Sequence, residues 1–194
     1  MNKKIWLPLM AAMAFAVVLI PAPLSAAAGG PYDSFSMFLA RAGYFVSADS
    51  AYTDVYNNGL VYGAELRIGG KKFAFWAEGT TRSETGSLTY TLEKTDLSVV
   101  SFEGGLLYRV LPGTLSPYLG AGLGYFMFQE KSEPMGVAKQ NKIGFCLVGG
   151  ASWLVGKGFA VDIKLKYGLC KMKPADLDIE VGGFTAGLGI GFRF

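Results

Sequence analysis

The sequence predicts an all-β fold, an eight-stranded antiparallel up-and-down barrel that crosses a membrane, and three observations support this. Apolar and polar residues alternate with period two along eight stretches, as they do in strands with two different faces. The connections between these stretches are alternately short and long. Of the 194 residues, 51% are hydrophobic and only 17% are charged, against about 25% charged in ordinary globular proteins.

The N-terminal segment has the pattern of a secretory signal peptide. Two lysines precede an apolar run over residues 5–20, and a tract of small residues follows at 25–30. A basic start, an apolar centre and a small-residue cleavage site are the three parts of such a signal. We expect cleavage after Ala28, so that residues 1–28 are the signal and residues 29–194 form one barrel domain. An uncleaved anchor helix is the alternative.

The signal peptide also accounts for most of the net charge. The whole chain has 18 basic and 15 acidic residues, a formal charge of +3, and a sequence pI near 8.8. Residues 1–28 contain two lysines and no acid, which leaves 16 basic against 15 acidic residues, or about +1. Such a small excess does not coat nucleic-acid phosphates, so we expect no nucleic-acid partner.

Eight stretches of the mature chain are predicted strands. The alternation is clearest over residues 60–68, where one row is apolar and the other contains Glu65 and Arg67, and it recurs at 159–167 and 184–194. Each stretch has about the length that a tilted strand needs to cross a bilayer. Less regular versions cover residues 36–46, 72–79, 98–110, 117–128 and 142–154.

The connections predict the orientation of the strands. Short ones with turn residues lie at 69–71, 112–114 and 156–158, and long polar ones lie at 47–59, 80–97, 129–141 and 170–182. Strict alternation puts every long connection at one end of the barrel and both termini at the other, as in bacterial outer-membrane barrels. A soluble β-sandwich is the alternative, because alternation alone does not distinguish lipid from a second sheet.

The charged row of each strand is predicted to face the lumen, because a basic side chain at the bilayer midplane costs about 2–4 kcal/mol. We expect these residues to form a paired network that plugs the lumen, since buried charges need partners and side chains nearly fill an eight-stranded interior. A narrow channel with a mild preference for anions is the alternative. Alternate positions along a strand share one face, and this parity of odd and even positions gives the ionisable residues that point inward. They are Arg41, Glu65, Arg67, Glu78, Glu103, Arg109, Lys142, Asp162, Lys164, Lys166 and Arg193.

Two segments carry a family resemblance. Residues 117–125, PYLGAGLGY, resemble the PYxGxGxG strand of the OmpA-like and OmpX-like superfamily of small outer-membrane barrels. The ending GGFTAGLGIGFRF resembles the C-terminal signal that the barrel-assembly machinery recognises. The resemblance implies a monomeric barrel in the outer membrane of a Gram-negative type cell, with that machinery as a partner in biogenesis. The residues of the signal are Phe184, Leu188, Ile190, Phe192 and Phe194.

The sequence contains no histidine, which excludes Ser-His-Asp and Cys-His catalysis and histidine-ligated metals. Enzymes of the barrel family, such as its lipid A deacylases and omptin-type proteases, resemble one another in using a histidine. A pair such as Glu103 with Lys164 is the histidine-free alternative, but no spacing singles out a nucleophile with its base. We therefore expect a non-enzyme without a cofactor.

The loops suggest a surface role. We expect a structural or surface-interaction protein whose long loops, including the tyrosine-bearing segment 48–60, meet lipopolysaccharide or other external ligands. A passive conduit for small hydrophobic molecules, as in the OmpW-like barrels that the chain resembles in strand number, is the alternative. Lysines of the outer rim are candidates for pairing with lipopolysaccharide phosphates, with ordinary solvated charges as the other interpretation. These lysines are Lys131, Lys139, Lys171 and Lys173.

The chain has two cysteines, Cys146 and Cys170. An oxidising compartment permits a disulfide. Hairpin geometry sets Cys146 opposite residues 166–168, which leaves Cys170 a few residues farther along its strand and near the limit of about 7 Å for bridging. The sequence leaves the pairing open.

Overall fold

A computed structural model provides the structure of the chain. It describes residues 33–53, 55–87, 94–132, 136–156, 158–172, 179–180 and 182–194. The expected signal peptide and Lys173 lie outside the described residues. Within the described ranges, no helix is both long enough and apolar enough to cross a membrane.

The strands form one closed antiparallel barrel, and the predicted fold class is confirmed. Each barrel strand pairs with its neighbours in the chain, and the last strand closes the ring by pairing with the first, with Arg41 opposite Gly189. The barrel strands are β1 (Met37–Ser47), β2 (Gly59–Gly69), β3 (Phe73–Ser87), β4 (Lys94–Arg109), β5 (Leu115–Ser132), β6 (Gly136–Val155), β7 (Phe159–Leu169) and β10 (Gly183–Arg193). Outside the barrel are a helical turn α1 (Ser50–Thr53) and a two-residue pair, β8 (Lys171–Met172) with β9 (Ile179–Glu180).

The barrel has its apolar side chains on the outside and its charged side chains on the inside, the reverse of a water-soluble protein. Large apolar side chains point outward, and Phe75 is 70% exposed, whereas Glu65 and Arg67 on the inner face are 1% and 0% exposed. Such a continuous apolar exterior is far larger than the patches that soluble monomers expose. The five residues of the C-terminal motif belong to it, since all are exposed: Phe184, Leu188, Ile190, Phe192 and Phe194.

The barrel is much taller on one side. Strands β1, β2, β7 and β10 each have 11 residues, whereas β3 to β6 have 15, 16, 18 and 20. We call the outer ends of these four adjacent strands the tall wall, residues 83–87, 94–98, 129–132 and 136–139. They pair with one another as a continuous sheet.

Two segments that were predicted to be loops belong to the tall wall instead. Residues 80–97 and 129–141 were predicted as long connections, but most of their described residues belong to paired strands. In the first segment one row is buried, including Glu84 and Leu97, while the other row is polar and exposed, and in the second segment residues 136–139 are exposed on both faces. Such a composition looks like a loop, although the hairpin partners supply a full ladder of backbone hydrogen bonds.

The lumen is filled in three layers. An apolar layer lies at the end of the barrel with the short turns and includes Met37, Leu107 and Leu154. A charged layer follows at mid-height. A second layer, mostly aromatic and aliphatic, occupies the outer half and includes Phe45, Val99 and Phe128.

A substitution at Gly150 tests whether the inward glycines leave space for the large side chains that pack in the lumen. A Cβ at this position would lie 2.5 Å from the hydroxyl oxygen of Tyr118 and 2.2 Å from the carbonyl oxygen of Ile163. We expect Gly150→Ala to lower the free energy of unfolding by about 1–3 kcal/mol, the usual cost of overpacking, measured by urea unfolding in detergent. The matched control is Gly79→Ala, whose Cβ would make an ordinary 3.6 Å contact with Phe102. Equal stabilities of the two variants would contradict this account of the lumen.

Candidate functional site: the lumen and its outer mouth

Eight charged side chains fill the middle of the barrel, and we call them the charged cluster. Four are cations and four are carboxylates, so their formal charges balance. Because each comes from the inward row of its strand, the cluster crosses the lumen from wall to wall. The members are Arg41, Arg67, Lys164, Lys166, Glu65, Glu78, Glu103 and Asp162.

Glu65 and Asp162 are at the centre of the cluster. Glu65 accepts hydrogen bonds from the Nε atoms of both Arg41 and Arg67 and from Lys164 Nζ at 3.0 Å. Asp162 accepts from Arg41 Nη2 at 2.6 Å and lies 3.2 Å from Arg67 Nη1. Each carboxylate therefore binds both guanidinium groups.

Uncharged groups complete the bonding on one side of this centre. Arg67 donates to the hydroxyl of Tyr118 at 2.8 Å and to that of Ser152 at 2.9 Å, and its guanidinium carbon lies 4.2 Å from the centre of the Tyr118 ring. Both hydroxyls in turn donate to Asp162, at 2.9 and 2.5 Å. The hydroxyls thus fix the positions of Arg67 and Asp162 as well as adding hydrogen bonds.

Two lysines extend the cluster toward the outer end. Lys164 Nζ binds Glu78 at 3.1 Å, and Lys166 Nζ binds Glu78 at 3.0 Å and Glu103 at 2.7 Å. Glu103 also accepts from Ser101 Oγ at 2.8 Å. Acid and base alternate along this row, so no like charges are adjacent without a counterion between them.

Strand β10 contributes space to the cluster. Gly189 lies between Arg41 on β1 and Asp162 on β7 in the register of the sheet, and a Cβ there would lie 3.1 Å from Arg41 Nη1. The guanidinium therefore crosses over a glycine to reach the carboxylate two strands away. A side chain at this position would push the ion pair apart.

The lumen above the cluster contains two small cavities of about 40 and 30 Å³. They share Val61, Thr80, Lys166 and Thr185 in their linings, so they adjoin one another. Volumes of this size hold a few water molecules. We call the larger one, which also contacts Phe45 and the outer layer, the outer chamber.

Three of the eleven predicted lumen residues lie outside the charged cluster. Arg109 is buried at the short-turn end, where it donates to Ser116 Oγ and to the carbonyl of Gly113. Lys142 is exposed, because β7 pairs with β6 no farther out than Phe145 and leaves its inward side uncovered. Arg193 is half-buried near the end of β10. All three alternate with buried residues of their own strands, but how far the neighbouring strands extend decides whether such a position is enclosed.

The candidate catalytic pair does not meet. Glu103 binds Lys166, whereas Lys164 binds Glu65 and Glu78. Both members are already bonded to other partners inside the lumen.

The outer aromatic layer was not predicted from the sequence. It contains part of loop one, by which we mean residues 48–53 and 55–58. Tyr52 is 2% exposed, its ring packs edge-on against Phe45, and its hydroxyl donates to Glu84. Tyr56 donates to Glu130 at 2.5 Å. Within the segment that is expected to meet external ligands, Tyr52 is therefore buried.

A sequence signal for this layer exists. Arg82 and Glu84 lie at the alternate positions of β3 that point inward, although the predicted strand ended at residue 79. Arg82 lies with its guanidinium carbon 3.4 Å from the centre of the Phe45 ring. Burial raises the pKa of Tyr52 above its ordinary value, and Glu84 adds to this although Arg82 opposes it, so the phenol is a hydrogen-bond donor at neutral pH.

The outer-rim lysines that the structure describes are all exposed. Lys131 and Lys139 lie on the outward rows of β5 and β6, and because Lys131 pairs with Val137 and Lys139 with Gln129, they are diagonal neighbours. Lys171 is exposed beyond the end of β7. Lys131 and Lys139 lie farther along their strands than the exposed side chains of Tyr125 and Ile143, and the exposed side chain of Val137 lies beside them.

Both cysteines are buried, and the structure contains no disulfide between them. Cys146 pairs with Gly168, so Cys170 lies two residues farther out on the neighbouring strand. Such diagonal positions are typically about 7–8 Å apart, beyond the usual reach of a disulfide. Among the described residues no group of three or more acidic or cysteine side chains has the arrangement of a metal site.

The fold is shared with small outer-membrane barrels of known structure. Neisserial surface protein A aligns with a TM-score of 0.64 and 16% identity, over 82% of this chain and 96% of that one. OprG of Pseudomonas aeruginosa aligns at 0.66 and 14%, over 84% and 98%. The attachment invasion locus protein Ail of Yersinia pestis aligns at 0.54 and 18%, over 84% and 99%. No protein-family model matches the chain, and no curated protein matches it in sequence.

Neutralising Glu65 tests the charged cluster. Glu65→Gln leaves three cations around an uncharged amide, and removing one partner of a buried ion pair costs about 3–5 kcal/mol. We expect this loss in the free energy of unfolding, measured by urea titration of the folded barrel in detergent. Asp96→Asn is the control, because Asp96 is exposed on the outer face of β4 and exposed pairs contribute about 0–1 kcal/mol. A Glu65 variant as stable as the Asp96 variant would contradict the role of the cluster.

Proposed function

We propose that this protein is a non-enzymatic outer-membrane barrel with a closed lumen, and that it acts as a structural or surface-interaction protein through its outer end. The observation that carries this proposal is the charged cluster, which crosses the lumen with paired groups. The apolar exterior supports insertion in a bilayer. The similar folds of three outer-membrane barrels support the outer membrane as its location.

The closed lumen follows from the cost of opening it. A solute passing through would have to separate Arg41 and Arg67 from Glu65 and Asp162, and each of these four side chains is at most 9% exposed. Separating buried ion pairs is far more costly than displacing water. The lumen is therefore better suited to holding the strands in register than to conduction.

The outer end supports a surface role. The tall wall raises two hairpins above the rest of the barrel, and its outer row is polar and exposed at residues such as Ser83, Thr85 and Asp96. One of the barrels with a similar fold is an attachment and invasion protein, and it has also been solved with the heparin analogue sucrose octasulfate. A paired sheet presents side chains more rigidly than a flexible loop would.

The proposed partner at the rim is lipopolysaccharide. Lys131 and Lys139 are diagonal neighbours on the outward face of the wall, farther along their strands than the exposed apolar side chains of Tyr125 and Ile143. Ammonium groups bind phosphates through charge-assisted hydrogen bonds. The exposure of these two neighbouring lysines on one face supports the pairing.

A passive conduit for small molecules is the second candidate function. The adjoining cavities above the cluster favour it, because they provide space in the outer half of the lumen. Their linings include Glu78, Lys164 and Lys166, so they end at the charged cluster. A conduit would require that cluster to rearrange.

Conductance distinguishes the two candidates. We expect the purified protein in planar bilayers to show no discrete open levels, because the charged cluster blocks the lumen. The control is Gly187→Leu, which adds an inward side chain beside the smaller cavity. Discrete levels in the native protein that disappear in this variant would establish conduction and overturn the closed lumen.

Charge reversal tests the lipopolysaccharide contact. We expect Lys131→Glu with Lys139→Glu to weaken binding of purified lipopolysaccharide to the barrel about tenfold, since each exposed pair contributes up to about 1 kcal/mol. Binding is measured by titration in detergent at two salt concentrations. Lys71→Glu with Lys72→Glu is the matched control, because these exposed lysines lie at the opposite rim. Equal affinity of the two double variants would show that the outer lysines do not bind phosphate.

A further inference from the structure

The charged cluster is bonded less completely on its outer side than on its inner side. On the inner side, serine and tyrosine hydroxyls complete the bonding of Arg67 and Asp162. On the outer side, Arg41 Nη1 and Glu103 Oε2 are buried and have no hydrogen-bond partner among the described residues. A buried polar atom without a partner is costly, and more so when it belongs to a charged group. These two atoms therefore require a partner that the described side chains do not supply.

The same two side chains line the adjoining cavities of the lumen. Arg41 lines the smaller cavity, of about 30 Å³, and Glu103 lines the outer chamber, of about 40 Å³. Thr80 and Thr185 line both cavities, so side chains with hydroxyl groups lie where the cavities adjoin. A path with polar groups at both ends and at its middle therefore crosses the lumen above the cluster.

The smaller cavity exists because three adjacent strands contribute glycines to its lining. Gly43 on β1 pairs with Gly187 on β10, and Gly63 on β2 pairs with Arg41. The space beside Gly189, by contrast, is occupied by the guanidinium of Arg41. The inward glycines thus make room for large side chains at one height and for a cavity at the next.

The charges of the cluster favour a neutral occupant for the two cavities. The cluster has four cations and four carboxylates, so a bound ion would leave one charge in the lumen without a counterion. Lys164 and Lys166, which line the smaller cavity, are already bonded to Glu78. A guanidinium only donates hydrogen bonds and a carboxylate only accepts them, so the occupant must do both. Water does both, and each cavity has room for about two or three water molecules.

We propose that the two cavities hold a chain of bound water molecules that runs from Arg41 Nη1 to Glu103 Oε2 and completes the charged cluster on its outer side. The chain has a direction, because the guanidinium donates to the first water molecule and the last one donates to the carboxylate. The hydroxyls of Thr80 and Thr185 bond to the chain at its middle. Water thus has the role on the outer side that serine and tyrosine hydroxyls have on the inner side.

The inner apolar layer provides the contrasting environment. It includes Phe35, Met37 and Leu107, and none of these lines either cavity. Their side chains offer water no strong hydrogen-bonding group, and apolar spaces in proteins stay dry. Water therefore solvates the cluster from its outer side only, and the cluster separates a wet part of the lumen from a dry one.

Hydroxyl-radical footprinting tests the water chain, because an X-ray pulse generates radicals from bound water that oxidise the side chains beside it. Phe45 lines the outer chamber and is 4% exposed, whereas Phe35 lies in the inner apolar layer and is 1% exposed. These two buried phenylalanines are a matched pair. The folded barrel in detergent is irradiated, and oxidised residues are mapped by mass spectrometry. We expect oxidation of Phe45 and none of Phe35.

Two variants at one position remove the water by different means. Thr185→Leu fills both cavities with a larger side chain, and we expect oxidation of Phe45 to fall to the level of Phe35. Thr185→Val keeps the volume but removes the hydroxyl, and we expect a smaller loss of oxidation. Thr81→Leu is the matched control, because Thr81 lies on the outward row of β3 and lines neither cavity. Gel mobility of unheated samples establishes that each variant is folded.

The water chain is overturned if Phe45 is not oxidised, because the cavities would then be dry. Equal oxidation of Phe45 and Phe35 would also overturn it, because water would then fill the whole lumen. So would native oxidation of Phe45 in both Thr185 variants. Oxidation of Phe45 that disappears when chloride replaces sulfate in the buffer would assign the cavities to an anion instead. Conductance tests the closed lumen separately, since dry cavities would leave the charged cluster in place.

Discussion

The carboxylates of Glu65 and Asp162 each bind the guanidinium groups of both Arg41 and Arg67, and this four-residue contact joins strands β1, β2 and β7 across the lumen. The interior of an eight-stranded barrel is nearly filled by side chains, so little water can solvate such groups. The charges of the cluster therefore find their partners across the lumen or two residues away on the same strand, as Arg67 and Glu65 do, at one register and one height. The strand pairing, the inward glycines and the closed lumen all satisfy this requirement, because a shift of one residue in any of these strands would turn its charge toward lipid.

The glycines and the long charged side chains are complementary parts of one packing arrangement. Arg41 crosses over Gly189, and the ring of Tyr118 fills the space that Gly150 leaves open. Small and large residues therefore alternate around the circumference of the lumen, and an average-sized residue at every position would leave gaps in some places and clashes in others. This explains how a chain with 27 glycines forms a rigid barrel: its strands are stabilised by their neighbours on both sides, so the low strand propensity of glycine matters less.

Parity was sufficient to predict the fold and the inner face, because the period-two pattern follows directly from strand geometry. The same pattern could not predict how far along the barrel axis each inward residue lies from the ends of the neighbouring strands. Arg109, Lys142 and Arg193 share the inward face with Glu65, yet they lie outside the charged cluster, since enclosure depends on how far the neighbouring strands extend. Nor could parity reveal the tall wall, whose polar rows resemble loops, or the burial of Tyr52, which depends on a chain reversal between β1 and β2 and on contacts with a strand that is distant in sequence.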